Sequence, residues 1–210
     1  MSQRNVVAAK AFTCDSGVVM SEPLLSSENA GIACTFKQTV NLGQDYFSVF
    51  GLQPSVDVDL SELALRYRQL QQAVHPDRFL RECDRSQRLA EQQASLVNTA
   101  YQVLKQPLSR AQYLLELAGE AGKTDDTTRD IVFLTEQMGL REQLSEAEGL
   151  QGLDELDAVV ASAWQAHWTA FCQAWQLQDW TAARSTVNKL QFANKLTHDI
   201  DARRDRLLEA

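Results

Sequence analysis

Between Leu60 and Ile200, apolar side chains return every three or four residues, and only four prolines and nine glycines are spread over the whole chain. A stripe with that period falls on one face of an α-helix and on no single face of a strand. Leu60, Leu63, Ala64, Tyr67, Leu70 and Val74 form the first such stripe, and the second runs from Leu89 through Leu96, Ala100 and Tyr101 to Leu104. The spacing predicts helices over about 60–74 and 86–105, a short aromatic helix ahead of them over 46–51, and another from Arg110 to Leu117. Further along, Ile131 to Leu144, Leu153 to Trp175 and Trp180 to Ile200 have the lengths and periods of a three-helix bundle. The predicted fold class is all-α.

The punctuation is as informative as the stripes. Pro76 has no amide hydrogen and disfavours a helical His75, which places the end of the 60–74 helix at Val74 or His75. Two long helices then fold back as a hairpin with His75-Pro76-Asp77 at the bend. Alone, that triplet is open to three readings: an ordinary turn, a recognition element, or acid–base chemistry. One imidazole and one carboxylate without a nucleophile are a poor catalytic set, and they are too few for a typical metal site. Gly119 to Asp126 is the second strong break, rich in glycine and aspartate. Residues 1–44, where small and polar side chains interrupt every apolar run, are expected to be poorly structured.

Charge and cysteine usage narrow the partners. The chain carries a formal charge of -8. Residues 46–118 hold eight basic and eight acidic side chains, whereas 119–210 hold nine and sixteen, so the acidity sits in the C-terminal half. That distribution argues against a surface tracking phosphates, so no nucleic acid is expected as a partner. Cys14, Cys34, Cys83 and Cys172 match no zinc or paired-thiol spacing and are expected to be four free thiols. No metal and no cofactor are expected. No stretch approaches the roughly eighteen apolar residues of a membrane span, and no secretion pattern opens the chain. The expected location is cytoplasmic, with the mitochondrial matrix as the alternative.

Set in context, the triplet becomes specific. Asp45-Tyr46-Phe47-Ser48-Val49-Phe50-Gly51-Leu52, Leu65-Arg66-Tyr67-Arg68, His75-Pro76-Asp77-Arg78-Phe79, Val97 to Leu104 and Pro107 to Leu115 stand in the order of a J-domain. The run from Arg129 to Glu142, which includes Phe133-Leu134-Thr135-Glu136-Gln137-Met138-Gly139-Leu140, resembles HscB, the J-protein family of iron–sulfur cluster assembly. The resemblance covers about 46–210. It implies a J-domain over 45–118, a linker over 119–127 and a scaffold-binding helical bundle over 128–210. It also implies a co-chaperone rather than an enzyme. Such a chain would recruit an iron–sulfur scaffold protein resembling IscU to a DnaK-class chaperone resembling HscA and stimulate that chaperone's ATP hydrolysis.

The resemblance assigns residues as well. Chaperone contact falls to His75, Pro76 and Asp77 with the cations Arg66, Arg68 and Arg78, the last standing where the family often has lysine. Scaffold contact falls to Leu134, Met138, Glu142, Glu146 and Phe192. Two matched positions depart from the pattern: Thr135 replaces a larger apolar side chain and Gly139 replaces a carboxylate. From the residues alone, plain core packing is the favoured reading of Leu134, Met138 and Phe192, Glu142 and Glu146 could equally be solvated bundle charges, and the tryptophans read as packing rather than a cofactor box.

Overall fold

The computed structural model describes residues 41–75, 79, 83–120 and 130–209. The poorly structured extension expected over 1–44 lies almost wholly outside them, as do Pro76, Asp77, Arg78 and most of the expected linker. Within the described residues every regular element is helical: α1 (Tyr46–Val49), α2 (Leu60–Val74), α3 (Asp84–Lys105), α4 (Pro107–Leu117), α5 (Ile131–Glu146), α6 (Gly149–Gln176) and α7 (Trp180–Leu208).

Local chemistry sets the helix starts. Asp45, Asp59, Asp130 and Asp179 each cap a helix, their carboxylates accepting from first-turn amides. Pro107 opens α4 three residues earlier than predicted, because a missing amide hydrogen costs nothing at the first position of a helix. Gly149 opens α6 at a φ of 70°, and Gly152 lies inside that helix, which starts four residues before the Leu153 at which the sequence placed it. As predicted, α2 stops at Val74, and His75 leaves helical geometry at φ -59° and ψ 126°.

α2 and α3 form the predicted hairpin. Tyr67 stacks on Tyr101 at 4.0 Å between ring centroids, and Phe47 and Leu63 are fully buried. Arg110 is buried as well. It donates to the carbonyls of Val56 at 2.9 Å and Leu104 at 2.6 Å, the latter in the last turn of α3, and so satisfies a helix-end acceptor that has no partner within its helix.

α6 and α7 are each about 42 Å long at 1.5 Å per residue and form a second hairpin. Its two ends serve different cores. At the closed end, Phe171, Ala174, Ala183, Val187 and Leu190 join one continuous core with Phe47, Leu63, Leu104, Ala111 and Leu114 of the first four helices. At the open end, Leu153, Leu156, Val160, Ala193, Leu196 and Ile200 form a smaller core, against which Leu140 and Leu144 of α5 pack. Glu120, just past α4, is bonded by Arg184 of α7 in a largely buried pair. All four tryptophans are partly buried, and the predicted packing role holds.

The expectation of four free thiols fails. Cys172 is a free thiol, but Cys83 is disulfide-bonded. Spacing along the chain cannot exclude such a pair, because disulfide formation depends on distance in the folded molecule.

Candidate functional site

Helix α5 is held differently from the others. At about 100° per residue, Phe133, Leu140 and Leu144 lie on one side, Ile131 and Met138 lie nearly opposite, and Leu134 lies between them at the edge of the outer set. The first set faces the bundle, and Phe133 is buried. The second set faces outward, with Ile131 75%, Leu134 40% and Met138 73% exposed, and Val132, about 100° round the helix from Ile131, is 70% exposed. A helix with two apolar stripes buries one of them and leaves the other available to a partner. The competing expectation of core packing for Leu134 and Met138 therefore does not hold.

Several contacts fix α5 on its support. Asp130 accepts from the Phe133 amide at 3.0 Å and from Lys189 Nζ of α7 at 2.8 Å. The lysine bond, followed by the amide bond, holds the Asp130 carboxyl below its ordinary value. The same Lys189 ammonium lies 5.0 Å from the Phe133 ring centroid. Phe133 meets Phe192 of α7 edge-on at 5.9 Å and His167 of α6 at 6.3 Å. A cavity of about 40 Å³ lies under α5, lined by Phe133, Leu140, Val160, His167, Lys189 and Phe192 among others. Burial, and then the neighbouring Lys189 charge, lower the His167 pKa against the opposing pull of Glu136.

The five predicted scaffold-binding residues occupy three adjoining places. Leu134 and Phe192 line an open groove of about 330 Å³ between α5 and α7, together with Gln137, Gln191 and Lys195. Met138 and Glu142 stand on the exposed crest of α5. Glu146, one turn beyond Glu142, borders a second groove on the α6 side. The patch is thus polarised. Carboxylates follow Met138 along the crest, while the Arg141 guanidinium lies 5.4 Å from the Phe192 ring centroid and Lys195 lines the α7 groove.

The two departures from the family pattern read clearly. Thr135 donates its hydroxyl to the Ile131 carbonyl at 2.8 Å, which occupies its polar atom within the helix. A Cβ built on Gly139 would meet nothing within 4 Å, so that position is open space on the α5 surface. Ile131 and Val132 were not singled out in the sequence as surface residues. The signal was present in the angular spread of apolar positions around α5.

At the other site, His75 is exposed at the end of α2, and Arg68 is exposed on the same helix. Arg66 is placed differently. It is half-buried, donates to the carbonyls of Phe50 and of Gly51 (2.8 Å), and pairs with Glu62 one turn earlier. Its guanidinium thereby fastens the end of α1 to α2. Pro76, Asp77 and Arg78 lie outside the described residues. No described helix is long and apolar enough to cross a membrane, and the described residues contain no group of three or more His, Cys, Asp or Glu able to hold a metal.

Comparison with known proteins agrees with this anatomy. Residues 45–113 match the DnaJ domain, and residues 129–201 match the HSCB C-terminal oligomerisation domain. A co-chaperone protein HscB homolog of Vibrio vulnificus (strain YJ016) is 38% identical over 168 residues, covering 78% of this chain and 98% of that protein. The solved chaperone HscB from Vibrio cholerae is 34% identical with a TM-score of 0.71, over 78% of this chain and 99% of its own. The crystal structure of human co-chaperone protein HscB is 29% identical with a TM-score of 0.74, over 85% of this chain and 92% of its own. A J-type helical hairpin joined to a bundle whose α5 keeps an apolar stripe outward, with these relatives along most of its length, places this chain in the HscB family of J-domain co-chaperones.

Proposed function

We propose that the chain couples two binding events. The exposed face of α5, with Phe192 of α7, recruits an iron–sulfur scaffold protein resembling IscU. The bend after α2 engages a DnaK-class chaperone resembling HscA and stimulates its ATP hydrolysis. His75, Pro76 and Asp77 act at that bend, Arg68 and Arg78 supply docking charge, and Arg66 positions the helix that carries them. Charges of this kind guide encounter and orientation more than they supply affinity. ATP binds the chaperone, the cluster belongs to the scaffold, and this chain contributes contact surfaces to both. Its place of action in this reading is the cytosol.

The observation that carries the reading is the outward apolar stripe of α5 in a chain that also presents a J-type hairpin. Large apolar side chains exposed together mark binding surfaces. The test is the ATP turnover of a purified HscA-type chaperone with this chain, with an IscU-type scaffold, and with both. Stimulation by the chain, raised further by the scaffold, is the expected result. Turnover indifferent to the chain, under conditions where a known J-protein stimulates, would reject it.

A further inference from the structure

The crest of α5 is flanked by two grooves: the one toward α7 contains Leu134 and Phe192 of the family pattern, and the other contains Glu146 alone of the assigned residues. The other, of about 350 Å³, lies between the end of α5 and the start of α6. Gln143 and Glu146 line it from α5, Ala147 from just past that helix, and Gly152, Glu155 and Val159 from α6. Gly152, Glu155 and Val159 share one face of α6 by their spacing of three and four. Val159 is 51% exposed although it is β-branched and apolar. Gly152 supplies no side chain to fill the groove, and its backbone lies close to Ala147. Gly139 stands one turn before Gln143, on the same side of α5, and a Cβ there would meet open space. The way from the crest to Val159 thus starts at a position without a side chain.

Charge selects the occupant. The residues lining the groove include two carboxylates, Glu146 and Glu155, and no basic side chain. Arg203 donates to the carbonyls of Ser145 and Ala147, and Arg204 is paired with Asp154, Asp157 and Asp201. Glu155 accepts only a neutral amide, from Gln151 at 3.0 Å. Glu146 belongs both to this groove and to the row that continues from Met138 and Glu142, so the groove is continuous with the patch above.

We infer that the α5–α6 groove is a second seat for the same scaffold partner. It takes a short basic segment whose lysine or arginine lies between Glu146 and Glu155 while a neighbouring apolar side chain covers Val159. This rests on the α5 reading above and adds a specificity element on α6. The scaffold is held on both flanks of α5: by an apolar contact at Leu134 and Phe192, and by a cation in the acidic groove. With a hydrogen atom in place of a side chain at position 139, the partner passes over α5 to reach Val159.

Calorimetry of the full chain with a purified IscU-type scaffold tests this, using Val159→Lys, Glu155→Gln and Met138→Ala in parallel. Lysine keeps α6 helical while opposing a cation in the groove. Val159→Lys should weaken binding at least tenfold. Glu155→Gln should weaken it about threefold to tenfold and flatten its salt dependence. Parent-like binding by both groove variants, while Met138→Ala weakens it, would overturn the groove and leave the patch standing. Weakening by the groove variants with parent-like Met138→Ala would support the groove and remove the patch. No binding by the folded parent would remove both. Sedimentation of the chain alone covers the remaining occupant: a dimer dissolved by Val159→Lys would assign the groove to a second copy and overturn the proposal.

Discussion

At the scale of single residues, the same side-chain type does unlike work a few positions apart. Arg66 and Arg68 are two residues apart on α2, yet Arg66 closes the α1–α2 junction through two carbonyls and Glu62, while Arg68 is exposed. His75 and His167 divide in the same way. His75 is exposed where α2 ends. Replacing it in His75→Gln should leave helicity and scaffold binding unchanged and abolish most of the stimulated ATP turnover. Equal stimulation by variant and parent would reject its role. His167 faces Lys189 from α7 and Phe133 and Glu136 from α5, and its folded pKa is below the ordinary 6.5, chiefly through burial. The unfolded chain therefore takes up this proton more readily than the folded one. The stability from a neutral His167 is complete above about pH 6.5 and is lost as the pH falls from there through the lower folded value. Thermal melts should show a stability decline below about pH 6.5 that is reduced in His167→Gln. Identical pH profiles would show that the imidazole contributes nothing.

At the scale of one element, α5 has an unusual distribution of side chains. A helix with a single apolar stripe is fully explained by the core it joins. α5 has a second stripe, and it rests on α6 and α7 through Phe133, Leu140 and Leu144 with the Asp130–Lys189 pair at its start. Truncating Leu134, Met138 or Phe192 to alanine one at a time should cost at least one variant about 1–3 kcal/mol of scaffold binding, a fivefold to 150-fold effect by calorimetry. Glu142→Gln should cost less, and its deficit should shrink as salt is raised. Circular dichroism separates lost contact from lost structure. Phe192→Ala needs that control most, because its ring meets Phe133 as well as the groove. If every variant binds as the parent does, the partner seats elsewhere.

At the scale of the whole molecule, the J-type hairpin and the long α6–α7 hairpin share one core. Leu63 of α2 and Val187 of α7 belong to the same buried cluster, and the Glu120–Arg184 pair reinforces the junction. The four tryptophans, Trp164, Trp168, Trp175 and Trp180, all lie in α6 or α7 and pack on the shared core, so their fluorescence reports the second hairpin and its junction with the first. Leu63→Ala opens a cavity in the first hairpin and should destabilise by about 2–5 kcal/mol. Because the core is shared, the tryptophan transition in urea should shift together with the far-ultraviolet transition. A tryptophan midpoint left at the parent value would mean that the two hairpins unfold separately. The shared core joins α6 and α7, on which α5 rests, directly to the first four helices.

What the sequence determined by itself is what depends on local chemistry. The 3.6-residue period fixed the helices, and Pro76 fixed the end of α2 because a ring without an amide hydrogen cannot continue it. A capping carboxylate at Asp57 or Asp59 was legible for the same reason, since its partners are close in sequence; in the structure Asp59 accepts from Ser61 and Glu62, two and three residues on. The order of motifs identified the family, and Leu134, Met138, Glu142 and Glu146 were placed on one row by spacing alone. Tertiary structure decided which of the two α5 stripes is covered, because burial depends on what another element brings to that face. It decided that Arg66 serves the fold, through carbonyls fifteen and sixteen residues away, and that Cys83 is paired. It also merged the first four helices with the closed end of α6 and α7. The glycine-rich run at 119–126 interrupts the local periodicity, and such a break carries no information about which surfaces meet beyond it.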